Sequence, residues 1–360
     1  MMNLTRLVGV GALAALMWCA AANAESLTVV SWGGSYARAC VKGYHEAFME
    51  ETGIEVRLED YNGGLAQLRA QVDAGAVHWD VIDMELADAM TGCDEGLLEV
   101  LDFEMPPGTN GESPEDDFYS ETMGECGVGT LFYSTVYAYH AEHFKERKPE
   151  TIADFFDLEA FPGRRGMRRV PPVNLEFALM ADGVPRDEVY ATLDTPEGVS
   201  RAFRKLDTIK DQVVWWEAGA QPPQMLADGE VVMTTAYNGR IFNAQVLEKQ
   251  PFTIVWDGQV LDTGQLVIAA GAPNLEAARK FLAFAARPSS MAGVGRYISY
   301  APARRSGMDL ISVHAETGEK MAPHMPTYPA NEAGALRNDW RWWSDNMDEM
   351  NERFSAWLAR

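Results

Sequence analysis

The chain has 360 residues, 47% of them hydrophobic, with 53 acidic against 30 basic side chains and a formal charge of −23. This length provides for a sizeable core and implies two domains, or one domain in two lobes. The acidic balance argues against nucleic acid and anionic membrane surfaces as partners, and it favours solubility and a cationic ligand.

Residues 1–24 read as a signal peptide. Arg6 supplies the positive start, an apolar run follows from Leu7 to Ala22, and Ala22-Asn23-Ala24 is a small-residue cleavage site. Cleavage after Ala24 and export are expected. Three cysteines then remain, and export permits a disulfide. Cys93 in TGCDEGLL and Cys126 in GECGVGT lie beside glycines in loop-like stretches and are the expected pair. Cys40 falls on the apolar face of a helix and is expected as a buried thiol. No CxxC is present, which leaves a redox or zinc reading little support.

The first strand is Leu27, Val29 and Val30, broken by Trp32-Gly33-Gly34-Ser35. A helix follows, with Cys40, Val41, Tyr44, Ala47 and Phe48 on one face and Gly53 at its end. Such a strand–glycine–helix corner leaves backbone N–H groups facing a cleft beside a large aromatic ring. Ile54, Val56 and Leu58 alternate as a second strand, Leu65, Leu68 and Val72 make a helical stripe, and 79–84 is a third strand with Glu85 just beyond it. This βαβαβ rhythm implies a parallel sheet with Trp32 and Glu85 at one rim. Residues 105–120, with the acidic run Glu115-Asp116-Asp117, are expected as solvated loop.

The β-prone stretch 127–140 is long enough to carry the chain from one lobe to another. A second unit follows, with helices at 174–180 and 198–209 and strands at 213–216 and 231–235, the last leading into Tyr237-Asn238-Gly239. Two further strands are expected at 252–256 and 265–270, and Leu275, Ala278, Leu282 and Ala285 mark a helix. The C-terminal stripe Trp340, Trp343, Met347, Met350, Phe354 and Trp357 reads as an amphipathic helix packed on one lobe.

In order along the chain, SWGGSY, EETGIEV, WDVIDMELADAM, CDEGLLEVLD, ADFFDLEAFPGRRG, DGEVVMTTAYNGR and PN-x-EAARKFLAF-x-ARP resemble an extracellular solute-binding protein of an ABC importer. Within that superfamily the chain is most similar to the putrescine/spermidine-binding group. The resemblance implies an α/β, two-lobed periplasmic-binding-protein fold with a ligand cleft between the lobes. The first lobe would comprise 25–133 and 260–320, the second 134–259, and 321–360 a C-terminal helical segment. It also implies a periplasmic monomer that captures a small organic solute by lobe closure and delivers it to an ABC permease in the inner membrane. No chemical reaction and no cofactor is implied.

Carried over position by position, the resemblance assigns ligand contacts to Trp32, Gly33 and Gly34 after the first strand, and to Glu85 after the third. In the second lobe it assigns Tyr237 and Asn238, with Gln221 in the loop after Trp216, and late in the chain Tyr300. Polyamine binders place an acidic residue on the strand re-entering the first lobe. Here Gly264 and Gln265 stand near that position, so Asp262 or Asp257 is the candidate replacement, and Glu176 is the candidate acid of the second lobe. Carboxylates offset the desolvation of ammonium groups, and aromatic rings wall a methylene chain.

Other ligands of the same carrier fold remain open: a quaternary amine, an amino-acid derivative, an organic anion or a metal. Arg168, Arg169 and Arg240 would clamp an anion if they face inward. For a metal, adjacent tyrosines are absent, and Met321, His324 and Met325 are expected in a surface loop. An exported hydrolase is the remaining rival, but neither GxSxG nor HExxH occurs.

Overall fold

The computed structural model describes residues 25–120 and 122–360, so the signal-peptide segment lies outside the described residues. The strands are β1 (Ser26–Ser31), β2 (Glu55–Asp60), β3 (Val81–Glu85), β4 (Gly127–His140), β5 (Arg165–Arg168), β6 (Val213–Trp216), β7 (Met233–Tyr237), β8 (Phe252–Ile268), β9 (Ala301–Pro302) and β10 (Leu336–Arg337). They follow the order β2-β1-β3-β8-β4-β7-β5-β6, with β9 on β4 and β10 on β8. The outer strands of each half pair in parallel (β1 with β2 and β3, β5 with β6 and β7), as βαβ crossovers require. The fold is the two-lobed α/β binding-protein fold.

The lobes are joined by β4 and β8, which pair antiparallel along almost their whole length. Where two strands were expected at 252–256 and 265–270, one strand runs from Phe252 to Ile268. Its ladder with β4 slips between Thr135 and Tyr137, where the chain from Trp256 to Gln259 bulges. Gly258 sits in that bulge at φ 72, a conformation L side chains rarely adopt. The slip divides a first-lobe ladder from a second-lobe one while keeping the strands continuous.

The first-lobe corner forms as its residues dictate. Leu27, Val29 and Val30 are buried, the chain turns at Gly33 and Gly34 (φ 61 and 57), and the helix closes at Gly53 in the left-handed conformation. Cys40 is buried, and burial pushes its thiol pKa up. The C-terminal helix Trp340–Leu358 is capped by the Asp339 side chain, which accepts from the N–H groups of Arg341 and Trp342. Trp343, Met350, Phe354 and Trp357 are buried against the second lobe. Ser344 Oγ bonds Thr91 Oγ1 of the first lobe at 2.8 Å, so the helix touches both halves.

Two loop expectations need correction. Asp117 of the acidic run is buried, 2.6 Å from the Arg304 guanidinium, and it accepts from the N–H and hydroxyl of Ser306. Burial works against its charge, but these donors and Arg304 outweigh it and hold its carboxyl below the usual pKa. Met321 and Met325 are likewise buried in the core rather than on a surface loop. Both are cases where a polar or flexible sequence neighbourhood is drawn in by a partner distant in sequence.

Cys93 and Cys126 form a disulfide with Cα atoms 5.7 Å apart, closing a sequence separation of 33 residues. It ties the helix after β3 to the start of β4. Replacing both with serine should lower the unfolding free energy by about 3–4 kcal/mol, the loop-closure value for that span. Urea titration of the variant beside the parent protein checks this; equal midpoints would mean the link adds nothing to a connection already fixed by packing.

Candidate functional site

The strand ends of both lobes converge on a cavity. The first lobe supplies Trp32 after β1, Tyr36 in the next helix, and Asp83 to Glu85 at the end of β3. The second lobe supplies Tyr237 at the end of β7 and Arg240 in the helix that follows. Leu131, Tyr133 and Gly264 come from the crossing strands, and Tyr300 from the segment before β9. The aromatic rings interlock: Tyr133 lies 5.5 Å from Tyr237 and 6.1 Å from Tyr300, and Tyr36 lies 5.6 Å from Tyr300.

Two arginines cross from the second lobe to the first. Arg168, at the end of β5, donates to Glu85 Oε1 at 2.7 Å and to the Asn62 carbonyl at 3.1 Å. Its guanidinium lies 5.6 Å from the Trp32 ring and 5.9 Å from the Tyr237 ring. Burial works against this charge, but Glu85 outweighs it and raises the pKa above its ordinary value. Arg240 donates to the carbonyls of Gly33 at 2.7 Å and Trp32 at 2.9 Å. Its Nε is buried without a partner at the cavity wall.

The carboxyls are held differently. Asp83 is buried and accepts from the Tyr36 hydroxyl; burial pushes its pKa up to about 7. Asp262 accepts from Asn338 Nδ2 at 2.6 Å and from Tyr133 at 3.3 Å, and burial raises its pKa to about 7 as well. With Arg240 on one side and Asp83 and Glu85 on the other, the cavity presents both kinds of charged group across an aromatic floor. That arrangement suits a small molecule with an anionic and a cationic end.

Of the residues singled out from the sequence, Trp32, Glu85, Tyr237 and Tyr300 stand together at this wall. Asp262 lines an adjoining chamber that shares Glu85 and Tyr133. Gly33 and Gly34 are not on the wall; the Gly33 carbonyl is taken by Arg240, and a Cβ on Gly34 would come within 2.8 Å of Arg240 Nη1. Three of the assigned residues lie away from this wall. Glu176 is buried inside the second lobe, where it accepts from Trp343 Nε1 and the Tyr190 hydroxyl. Gln221 caps its own loop, accepting from the N–H groups of Glu217 and Ala218. Asn238 is an internal brace, accepting from the Ser134 N–H and donating to the Ser299 carbonyl. Asp257 also lies elsewhere, bound to the Ile152 N–H and to Arg186.

Sequence reasoning missed Tyr36, Asp83 and Tyr133. Asp83 stands two residues before Glu85 on one strand, so the alternation of β3 already pointed it to the same face. Arg168 and Arg240 meet the condition set for an anion clamp, since both side chains face inward; Arg169 instead pairs with exposed Glu217. No group of three or more His, Cys, Asp or Glu suited to a metal occurs among the described residues.

A family model described as "Bacterial extracellular solute-binding protein" matches residues 43–327. The chain is 42% identical over 341 residues to the gamma-aminobutyric acid-binding protein of Pseudomonas aeruginosa, covering 95% of this chain and 93% of that one. Among solved structures, it resembles the binding protein MotA of A. tumefaciens B6 in complex with glucopine, with a TM-score of 0.84 and 29% identity over 92% of this chain and 99% of that one. A structure described as a GABA receptor superposes with a TM-score of 0.78 at 31% identity, covering 93% of this chain and 98% of that one. The chain therefore belongs to the bacterial extracellular solute-binding protein family.

Proposed function

We propose that this protein is the periplasmic substrate-binding component of an ABC importer, and that its ligand is a small zwitterionic amino acid of the gamma-aminobutyrate type. The observation that carries the ligand class is the position of Arg168. It occupies the space between Trp32, Tyr237 and Glu85 that a polyamine ammonium would need. The protein's own cation fills that place, and Gly264 stands near the position where polyamine binders carry an acid. The amino-acid derivative held open as an alternative thus fits better than a polyamine, and the relative from Pseudomonas aeruginosa points the same way.

In this reading the ligand carboxylate approaches Arg240 at the cavity wall, and the ammonium meets Asp83. Each end is contacted by a different lobe, so bound ligand stabilises the closed form over the open one, and a permease reads the closed shape.

Two outcomes follow. In thermal unfolding and calorimetry, gamma-aminobutyrate should raise the melting temperature while putrescine and spermidine do not, and Arg240→Ala should weaken binding by about 2–5 kcal/mol. A response to the polyamines alone would overturn the reading.

The second concerns pH. Asp83, the carboxyl placed at the ammonium, has its folded-state pKa raised to about 7 by burial, so in the empty protein it holds a proton over much of the range from pH 4 to 7. An ammonium favours its ionised form. Affinity should therefore rise with pH up to about 7 and then level off, by as much as about tenfold per pH unit. Calorimetry at pH 6 in buffers of different ionisation heat measures the proton release. Proton uptake would contradict an ammonium beside this carboxyl.

A further inference from the structure

Three of the rings that wall the cavity rest on glycines that do not themselves line it. Trp32 is backed by Gly63 in the loop after β2, Tyr237 by Gly219 in the loop after β6, and Tyr300 by Gly239 in the helix after β7. A Cβ on Gly63 would stand 2.8 Å from Trp32 Cη2 and 3.1 Å from its Cζ3. On Gly219 it would stand 3.0 Å from both Cδ2 and Cε2 of Tyr237, and on Gly239 2.6 Å from Cε1 and 2.8 Å from Cζ of Tyr300. Carbon atoms pack best at about 3.5–4.0 Å, so no position has room for a methyl group while its ring stays in place.

The rings cannot give way sideways. Tyr237 meets Trp216 at 5.9 Å and Tyr133 at 5.5 Å, both edge-on. Tyr300 meets Tyr133 at 6.1 Å and Tyr36 at 5.6 Å, and Trp32 meets Tyr61 at 5.0 Å. Trp216, Tyr36 and Tyr61 are themselves buried. A packed interior does not compress, so a ring pressed from behind moves toward the nearest empty space. For these rings that space is the cavity.

We infer that Gly63, Gly219 and Gly239 are specificity-determining positions of the site: lacking side chains, they let three rings lie back, and so they set how thick a ligand the cavity admits. The inference rests on this cavity being the ligand site proposed above. A side chain at any of the three would advance a ring and narrow the space, with every group that faces the ligand still present. Overpacking a filled core destabilises the fold. Here an empty space takes up the displaced ring, so the cost falls on ligand binding rather than on stability, and it grows with the bulk of the ligand. Gly63 has φ 90, where any replacement is strained whatever the room. Gly219 and Gly239 carry no such restriction, and the test uses them.

Calorimetry compares Gly219→Ala and Gly239→Ala with the parent protein on beta-alanine, gamma-aminobutyrate, and gamma-aminobutyrate methylated at its β-carbon. The three ligands keep both charged ends and differ in length or girth. Each variant should bind gamma-aminobutyrate about tenfold more weakly, with its ligand-free melting temperature near that of the parent. Among the ligands the parent binds, the loss should be smaller for beta-alanine and larger for the methylated compound. If both variants bind gamma-aminobutyrate as the parent does, or lose every ligand equally, the glycines serve packing alone and the inference is overturned while the proposed function stands. If the parent protein does not bind gamma-aminobutyrate, both readings fall. A Cβ at Gly239 would also press on Ile298 Cγ1 at 2.5 Å. Should that variant fold poorly, Gly219→Ala decides alone, since beyond the Tyr237 ring its next neighbour is Arg240 Nε at 3.7 Å.

Discussion

The antiparallel ladder between β4 and β8 is the constraint on which the rest depends. It belongs to both lobes, so the cavity wall is fixed to a strand pair that neither lobe owns. Inward-facing residues at steps of two along these strands set the spacing of the site before any loop is considered. The slip between Thr135 and Tyr137 then lets the halves of one sheet differ in orientation without cutting the strands. Polar contacts across the cleft include Arg168 on Glu85 and Arg240 on the carbonyls of Trp32 and Gly33. Such charge-assisted bonds can break singly, whereas the ladder beneath them opens only with the fold.

The charge of the whole chain and the charge of the site have different meanings. A formal charge of −23 describes the solvated surface, where side chains are screened and contribute little individually. At the cavity, burial governs. It pushes Asp83 and Asp262 toward neutrality, and it makes the Arg168–Glu85 pair dependent on its mutual contact. An acidic chain therefore carries two buried arginines at its cleft, and global composition does not describe the charge found there.

What was legible in the sequence was whatever sits at the junction of two elements. Trp32, Glu85, Tyr237 and Tyr300 are each next to the end of a strand or the start of a turn, and local pattern marks such places. Asp83 and Tyr133 are inside strands, where pattern says only which face they share. Glu176 was the candidate for the acid that the resemblance expects in the second lobe, but its helix is buried almost all round and its Oε1 accepts from Trp343 and Tyr190. Asn238 and Arg240 lie two residues apart at one corner; the sequence singled out the first for contact, while the structure turns it inward and points Arg240 at the cavity. Those choices are made by tertiary contacts more than 100 residues away in the chain, such as Asn238 with Ser134 at a separation of 104, and no local spacing encodes them.

In the proposed reading, the placement of Arg168 lets one scaffold favour a zwitterion without losing the aromatic surfaces suited to a polycation. A diamine entering between Trp32 and Tyr237 would have to displace a guanidinium already paired with Glu85 and packed against both rings. It would then leave that guanidinium buried and unpaired, and removing one partner of such a pair is strongly destabilising. In that reading a ligand carboxylate meets no such penalty, because it adds an acceptor beside Arg240. Selection against a polycation would then be built from an occupied position rather than from a missing contact, by a residue that also ties one lobe to the other.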